Sequence, residues 1–312
     1  MGVPMRWEDR IGRRLKLRDL HTLQVVSEIG SMAKASRQLG LSQPAISKAI
    51  AEMEQALGTP LLERSSVGVE LTPGGSLLVD RVRVIFDEVR QGVKDIEHLS
   101  DPTRGEVRIG ATEPLTVILA ETINVLSRKY PNITYDVTIS DTTSLMRELR
   151  ERNLDVVVTR WSARNAADDL AAEILYNNPL GVLVHRRHPL LRHKRLELKD
   201  LMNERWTLSP SDSFLGQIVH EEFRLRGLEY PKASVTSISI YMRLTLLASG
   251  RYLTMLPISM LRHPADKAWL RALPVKFDDT PGSVATITLK QRRAKGAVEL
   301  FQRASREVAA QL

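Results

Sequence analysis

Gln43, Pro44, Ser47 and Lys48 stand close together at helical spacing, directly after a serine at position 42. Glutamine can hydrogen-bond adenine through two atoms at once, a proline ring can press on a thymine methyl, and serine and lysine suit phosphate oxygens. That chemistry needs the four side chains on one exposed helical face, and their neighbours supply it. Ile46, Ile50, Met53 and Leu57 recur every three or four residues and must face a core, which turns the polar four outward. Ser42 sits where an N-cap belongs, and Pro44 lies inside the first turn, where its missing N–H costs nothing. A shorter helix, about Met32 to Leu39, ends at Gly40, which takes the positive φ of a helix C-terminus without a Cβ clash. Two helices around a tight turn, with the N-terminal residues of the second exposed, have the geometry of a helix-turn-helix that reads the major groove.

An ordinary helical hairpin shares that outline. The charge pattern separates the two: Lys34, Arg37 and Lys48 fall between positions 31 and 48 with no acidic residue among them. Ser31, Lys34 and Ser42 therefore join Gln43, Pro44, Ser47 and Lys48 as candidates for contact with double-stranded DNA. Leu17, Leu20, Leu23 and Val26 form a stripe that packs a preceding helix on this pair. After it, 61–64 and 69–72 read as short strands around Ser65-Ser66-Val67-Gly68, a small wing. Arg64 at its base suits a phosphate, the minor groove or a surface ion pair. Thr72, before Pro73-Gly74-Gly75, is a helix cap, a phosphate contact or both.

The run SQPAISKAIAEMEQALGTPLLERS, followed by LTPGG and a long helical segment, resembles the N-terminal domain of LysR-type transcriptional regulators. These are bacterial winged helix-turn-helix proteins with a C-terminal two-lobed α/β sensor domain of the type 2 periplasmic-binding-protein kind. The likeness extends over about residues 17 to 306 and is most specific at its N-terminal end. Leu62 stands where the family usually has Phe, and Ser36 where Ala is usual at the close helix crossing. The resemblance implies operator DNA, a small effector bound between two lobes, self-association as a homodimer or homotetramer, and contact with RNA polymerase. It implies no cofactor and no metal.

Length and composition agree with a soluble globular chain of two or three domains. The 312 residues are long for one core, and 43% hydrophobic with 26% charged residues is the balance of soluble globular proteins. No run approaches the roughly 18 apolar residues that span a bilayer, so a membrane partner is not expected. The opening MGVPMRWEDRIGRR contains acids and no apolar stretch, unlike a secretory signal. Cys is absent, which removes disulfides and thiolate metal sites and fits a reducing cytoplasm. The net charge of +8 is not concentrated on the helix-turn-helix: residues 1–100 hold 14 basic and 13 acidic residues, and the rest hold 31 and 24. DNA binding thus rests on local placement of charge. The basic run at 185–195 reads as a solvated surface or as favouring an anionic ligand.

The expected organisation is an N-terminal extension (1–16), a winged helix-turn-helix (17–74), a linker helix (75–100), a hinge (101–105) and an effector-binding domain (106–312). In the linker helix Leu78, Val82, Ile85, Val89, Val93 and Ile96 step by three or four. About 25 helical residues extend roughly 38 Å, too long a seam for a small winged domain to cover, so a second copy is the expected partner. Asp80, Arg81, Asp87, Glu88, Lys94 and Asp95 are expected on the solvent face. Beyond the hinge, strands at 107–111, 133–139 and 154–159 alternate with helices at 115–129 and 144–152. A second set of elements follows from 180. Lobe I is placed at 106–160 with 267–312, and lobe II at 161–266, with crossings near Trp161 and Pro264.

In such units ligands collect at the carboxyl ends of strands, beside helix N-termini. Thr112, Ser140, Thr142, Thr159 and Arg160 stand there in lobe I, and Ser209 and Thr236 in lobe II. Each hydroxyl alone reads as a helix cap; as a set they read as a ligand cleft. Arg160 is the cation among them and the candidate partner of an anionic effector, with Glu113, beside the strand end at Thr112, as the group that would otherwise neutralise it. Enzymatic readings lack support: His220-Glu221-Glu222-Phe223 has no second zinc-protease histidine, His188 and His193 lack a third ligand, and no Walker loop or GxSxG elbow occurs. The alternatives to a ligand-responsive regulator are a solute-binding or enzymatic α/β protein with an incidental helical hairpin, and a constitutive DNA-binding protein with a vestigial cleft.

Overall fold

The computed structural model describes residues 15–65, 68–101, 104–162, 166–262, 266–277, 282–292 and 296–311. Most of the N-terminal extension, the wing tip at Ser66 and Val67, Pro102 and Thr103 of the expected hinge, and the crossing expected near Pro264 lie outside the described residues. The chain divides into two compact units, Met1–Val93 and Lys94–Leu312.

The first unit begins with helices α1 (Leu17–Ile29), α2 (Met32–Leu39) and α3 (Gln43–Leu57). Strands β1 (Leu62–Arg64) and β2 (Val69–Leu71) pair antiparallel, with Leu62 opposite Leu71. The long helix α4 (Pro73–Ser100) follows. Leu23, Val26, Ala35, Ile46, Ile50 and Met53 are fully buried together and close the angle between the three short helices. Gly40 ends α2 at φ 63°, as its position after Leu39 predicts. The Glu54 carboxylate of α3 accepts from the amides of Leu61 (2.8 Å) and Leu62 (3.2 Å), which ties the start of the wing to that helix. Gly75 admits no side chain: a Cβ there would lie 2.0 Å from the Leu61 carbonyl oxygen.

The seam expected on α4 divides in two. Val79 and Val82 are buried in the winged core, with Leu78 and Phe86 packed beside them. The inward face therefore steps through Gly75, Val79, Val82 and Phe86, sharing Val82 with the expected stripe but taking Phe86 in place of Ile85. Val82, assigned to dimerisation from its spacing, has no surface left for a second copy. Asp87 also departs from expectation: it is buried rather than on the solvent face. Ile85, Val89, Val93 and Ile96 keep an exposed apolar edge.

The second unit holds two lobes. Its first elements are β3 (Arg104–Ala111), α5 (Thr116–Lys129), β4 (Asn132–Ile139), α6 (Thr142–Arg150), β5 (Val156–Arg160) and β6 (Leu170–Asn177). Arg104 and Gly105, expected in the hinge, already belong to β3. Next come β7 (Leu180–His185), β8 (Thr207–Leu208), α7 (Phe214–Arg224), β9 (Val235–Thr236), α8 (Ile240–Ala248), β10 (Thr254–Pro257) and β11 (Leu270–Ala272). The last two elements are β12 (Ser283–Leu289) and α9 (Ala297–Ala309). Lobe I is a five-stranded sheet in the order β4-β3-β5-β12-β6. β3 runs parallel to β4 and β5, while β12 runs antiparallel to β5 and β6. Ile118, Leu119 and Leu126 of α5 and Phe301 of α9 cover one face, and Leu145 and Leu149 of α6 the other. In lobe II β7 is the centre of an antiparallel sheet, flanked by β10 and β11. Its core gathers on Trp206, packed edge-on against Phe223 with ring centroids 5.8 Å apart.

The lobe boundaries shift from those expected. β6 pairs along the whole of β12 and so completes lobe I, which moves the first crossing from Trp161 to the Asn178-Pro179 turn. β11 pairs with β7, and Leu270 is buried in the lobe II core, so residues 267–275 belong to lobe II. Among the described residues no helix is long and apolar enough to cross a membrane.

Candidate nucleic-acid interface and ligand cleft

The exposed face of α3 carries the residues its sequence predicts. Ser42 caps the helix, its Oγ accepting from Ala45 N at 3.3 Å. Gln43, Pro44 and Lys48 are exposed beyond it and Ser47 is half-buried. Arg64, at the base of the wing, donates from Nη1 to Ser47 Oγ at 3.0 Å, so a guanidinium stands against the same helical face. Lys48 lies 3.8 Å from Glu52 one turn on; both are exposed, so this pair adds little to stability. Ser31 caps α2 by accepting from Lys34 N, and Lys34 itself is exposed. Thr72 is a correction. It is buried, donates to the Pro60 carbonyl at 2.7 Å and accepts from Gly75 N at 3.0 Å, so its hydroxyl is committed to capping α4 and not to phosphate.

The second unit contains a cavity of about 420 Å³ between its lobes. Thr112, Ser140, Thr142, Thr159 and Arg160 line it from lobe I and Ser209 from lobe II. Thr236 does not reach it: it lies exposed on β9, and the wall begins two residues later at Ile238 and Ser239. Thr142 and Thr159 share a hydrogen bond at 3.0 Å between their hydroxyls. Asp141 caps α6 through Ser144 N; burial acts to raise its pKa, but the bonds from Ser144 win and hold it below the usual carboxylate range. Ser213 and Ser239 cap α7 and α8. The polar ends of several helices thus converge on a space whose remaining walls are apolar, including Leu115, Ile139, Phe214 and Pro257. Mostly apolar walls with a few aimed polar groups are the usual make-up of a small-molecule site.

Arg160 is buried at the lobe crossing, where Nη1 donates to the Asn178 carbonyl. Gly282 makes room for it, since a Cβ there would fall 2.5 Å from Nη2. Burial pulls the Arg160 pKa down to about 10. Two charged residues have larger roles than sequence assigned them. Glu113 accepts from the amides of Ile240 (3.0 Å) and Tyr241 (3.3 Å), and so joins lobe I to the start of α8. Arg243 of α8 is fully buried and donates to Ser209 Oγ, one of the hydroxyls that line the cavity. The signal for Arg243 was present: Ile240, Leu244 and Leu247 mark the inward face of α8, and position 243 falls on it.

Residues 17–76 match the family described as bacterial regulatory helix-turn-helix protein, lysR family, and residues 100–310 match the LysR substrate binding domain. The chain belongs to the LysR family of transcriptional regulators. This LysR-type regulator is 31% identical to the HTH-type transcriptional regulator GalR of Pseudomonas putida over 296 residues, covering 93% of this chain and 73% of GalR. It is similar in fold to a full-length variant of OxyR from Pseudomonas aeruginosa, with a TM-score of 0.71, 20% identity and coverage of 94% and 95% of the two chains. It is also similar to full-length CbnR in complex with its target DNA, with a TM-score of 0.55, 22% identity and coverage of 95% and 100%. It is a DNA-binding regulator with an effector-binding domain, not an enzyme, and regulators of this family bind operator DNA and small effectors and oligomerise. The match across both units sets aside a solute-binding protein with an incidental hairpin.

Proposed function

We propose that this LysR-type regulator reads its operator through Gln43, Pro44, Ser47 and Lys48, with Arg64, Ser31 and Lys34 at the flanks, and answers to a small anionic effector in the lobe cavity. The observation that carries the sensing half is convergence. Residues from the ends of β3, β4, β5 and β8, remote in sequence, line one cavity of about 420 Å³ that also holds a buried guanidinium. A guanidinium presents several N–H donors in a planar fork that matches a carboxylate or phosphate, so Arg160 among these hydroxyls suits an anionic effector. The chain would act as a homodimer or homotetramer in the cytoplasm, where operator DNA and RNA polymerase are found.

Two substitutions test the reading. Gln43→Ala weakens operator binding by about 1–3 kcal/mol and leaves binding to random duplex nearly unchanged, because only the base contact is lost. Fluorescence anisotropy on both duplexes checks this, and equal losses would remove Gln43 from base readout. Arg160→Ala abolishes the effect of effector on reporter transcription while operator affinity without effector stays at the wild-type value. An effector moves the DNA-binding equilibrium only by its difference in affinity for the two states, and this variant removes that difference without touching α3. A normal effector response in Arg160→Ala would end the anionic reading, and no response in the wild type to any metabolite tried would favour the constitutive alternative.

A further inference from the structure

The lobe II wall of the cleft already receives a carboxylate, and it is the protein's own. Glu113 extends from the turn after β3 and places both carboxylate oxygens on the first amides of α8, 3.0 and 3.3 Å away. A helix N-terminus offers unpaired N–H groups and partial positive charge, so it is a natural seat for a planar two-oxygen anion. A second feature points to the same place. Arg243, within the first turns of α8, has no exposed surface, and its Nε has no hydrogen-bond partner among the described residues. Its Nη1 donates to the hydroxyl of Ser209, which lines the cavity. A hydroxyl oxygen that accepts from a guanidinium must send its own proton elsewhere, and it becomes a stronger donor for doing so. Burial draws the Arg243 pKa down to about 10, while the negative charge of Glu113 acts the other way.

We propose that the α8 amides and the Ser209 hydroxyl, backed by Arg243, form a carboxylate subsite, which Glu113 fills until the carboxylate of an effector displaces it. The inference rests on the anionic-effector reading and adds the effector's class, a small carboxylate. It also adds a mode of regulation: the tie that Glu113 makes between the lobes is exchanged for the effector's own contacts. A tethered carboxylate competes at high effective concentration, so the protein weakens its own ligand binding and releases Glu113 only when effector is abundant.

Acetate is the probe. In thermal unfolding of the full-length protein at constant ionic strength, acetate is expected to stabilise Glu113→Ala at concentrations about ten-fold lower than it needs for the wild type, because the seat is vacated. Chloride and phosphate should show no such difference. In the Glu113→Ala background, Ser209→Ala should remove the acetate shift. Should Glu113→Ala fold poorly, Glu113→Gln carries the comparison, since it keeps one acceptor oxygen but no charge. Equal acetate responses in wild type and variant, an acetate shift that survives Ser209→Ala, or an equal gain with phosphate would overturn the carboxylate subsite. If the subsite fails in this way while Arg160→Ala still abolishes the effector response, the anionic-effector reading stands without it.

Discussion

Asp155→Ala is expected to destabilise the effector-binding unit by about 3–5 kcal/mol, the usual cost of removing one partner from a buried ionic cluster. Asp155 is 4% exposed and sits just before β5. Its carboxylate accepts from the Arg108 amide at 2.9 Å, from the Arg108 guanidinium at 3.2 and 2.7 Å, and lies 2.7 Å from Arg292 Nη2. Both guanidiniums are largely buried and Lys94 lies 3.9 Å away, so deleting the acid removes the anion that three cations surround. Asp155→Asn should cost less, since its amide oxygen still accepts from Arg108. Acid titration gives an independent check. Burial acts to raise the Asp155 pKa, but the Arg108 hydrogen bond and the charges of Arg292 and Arg108 outweigh it and hold the group below its ordinary value. A depressed folded pKa means stabilisation that is complete above the unfolded value, about 3.9, and is lost as pH falls through the folded one. The stability gap between wild type and Asp155→Ala, measured by urea unfolding, should therefore narrow below about pH 4. Parallel curves down to the acid limit would show that Asp155 is not the group responsible.

The N-terminal unit was legible in sequence because its determinants are local. Ser42, Pro44 and Gly40 act on their own helices within a turn, and the Ile46, Ile50, Met53 stripe turns one face inward whatever it packs against. Val82 and Asp87 are exceptions there, and so is Thr72. Its position before Pro73 suits a cap and a phosphate contact equally, and only the fold shows the hydroxyl enclosed between Pro60 and Gly75. In the effector-binding unit the parallel strands were readable from apolar runs such as Val156-Val157-Val158. β6 was not: Leu170–Asn177 is half-buried along most of its length, and the strand it pairs with, β12, lies more than a hundred residues away. The same distance hid the role of Glu113, whose partners are the amides of Ile240 and Tyr241. Backbone amides carry no side-chain signature, so no residue type marks them as a carboxylate seat. Thr236 illustrates the opposite error, for a hydroxyl at a strand end is placed correctly in the topology yet falls two residues short of the wall.

Val89→Lys is expected to abolish self-association and lower operator affinity about a hundred-fold or more, the scale on which two linked half-site contacts exceed one. Ile85, Val89, Val93 and Ile96 step by four, four and three along α4 and stay 38–65% exposed in the single chain. Val79, Val82 and Phe86 occupy the side of the helix that the winged core takes. Farther along, Lys94 lies 3.3 Å from Glu106 and 3.9 Å from Asp155 and is held in ion pairs. A second copy is thus the natural cover for the exposed edge, and a lysine at its centre would bury a charge with nothing to pair it. In the lone chain Val89 is half exposed, so the substitution should leave helix content by circular dichroism unchanged. Loss of binding in that setting reports assembly and not folding. Sedimentation velocity gives the oligomeric state, and anisotropy on whole and half operators gives the binding. The variant should bind a half operator as the wild type does and the whole operator no better than a half. An intact dimer with wild-type operator affinity would show that the exposed edge of α4 is not the seam, and that the copies meet through another surface.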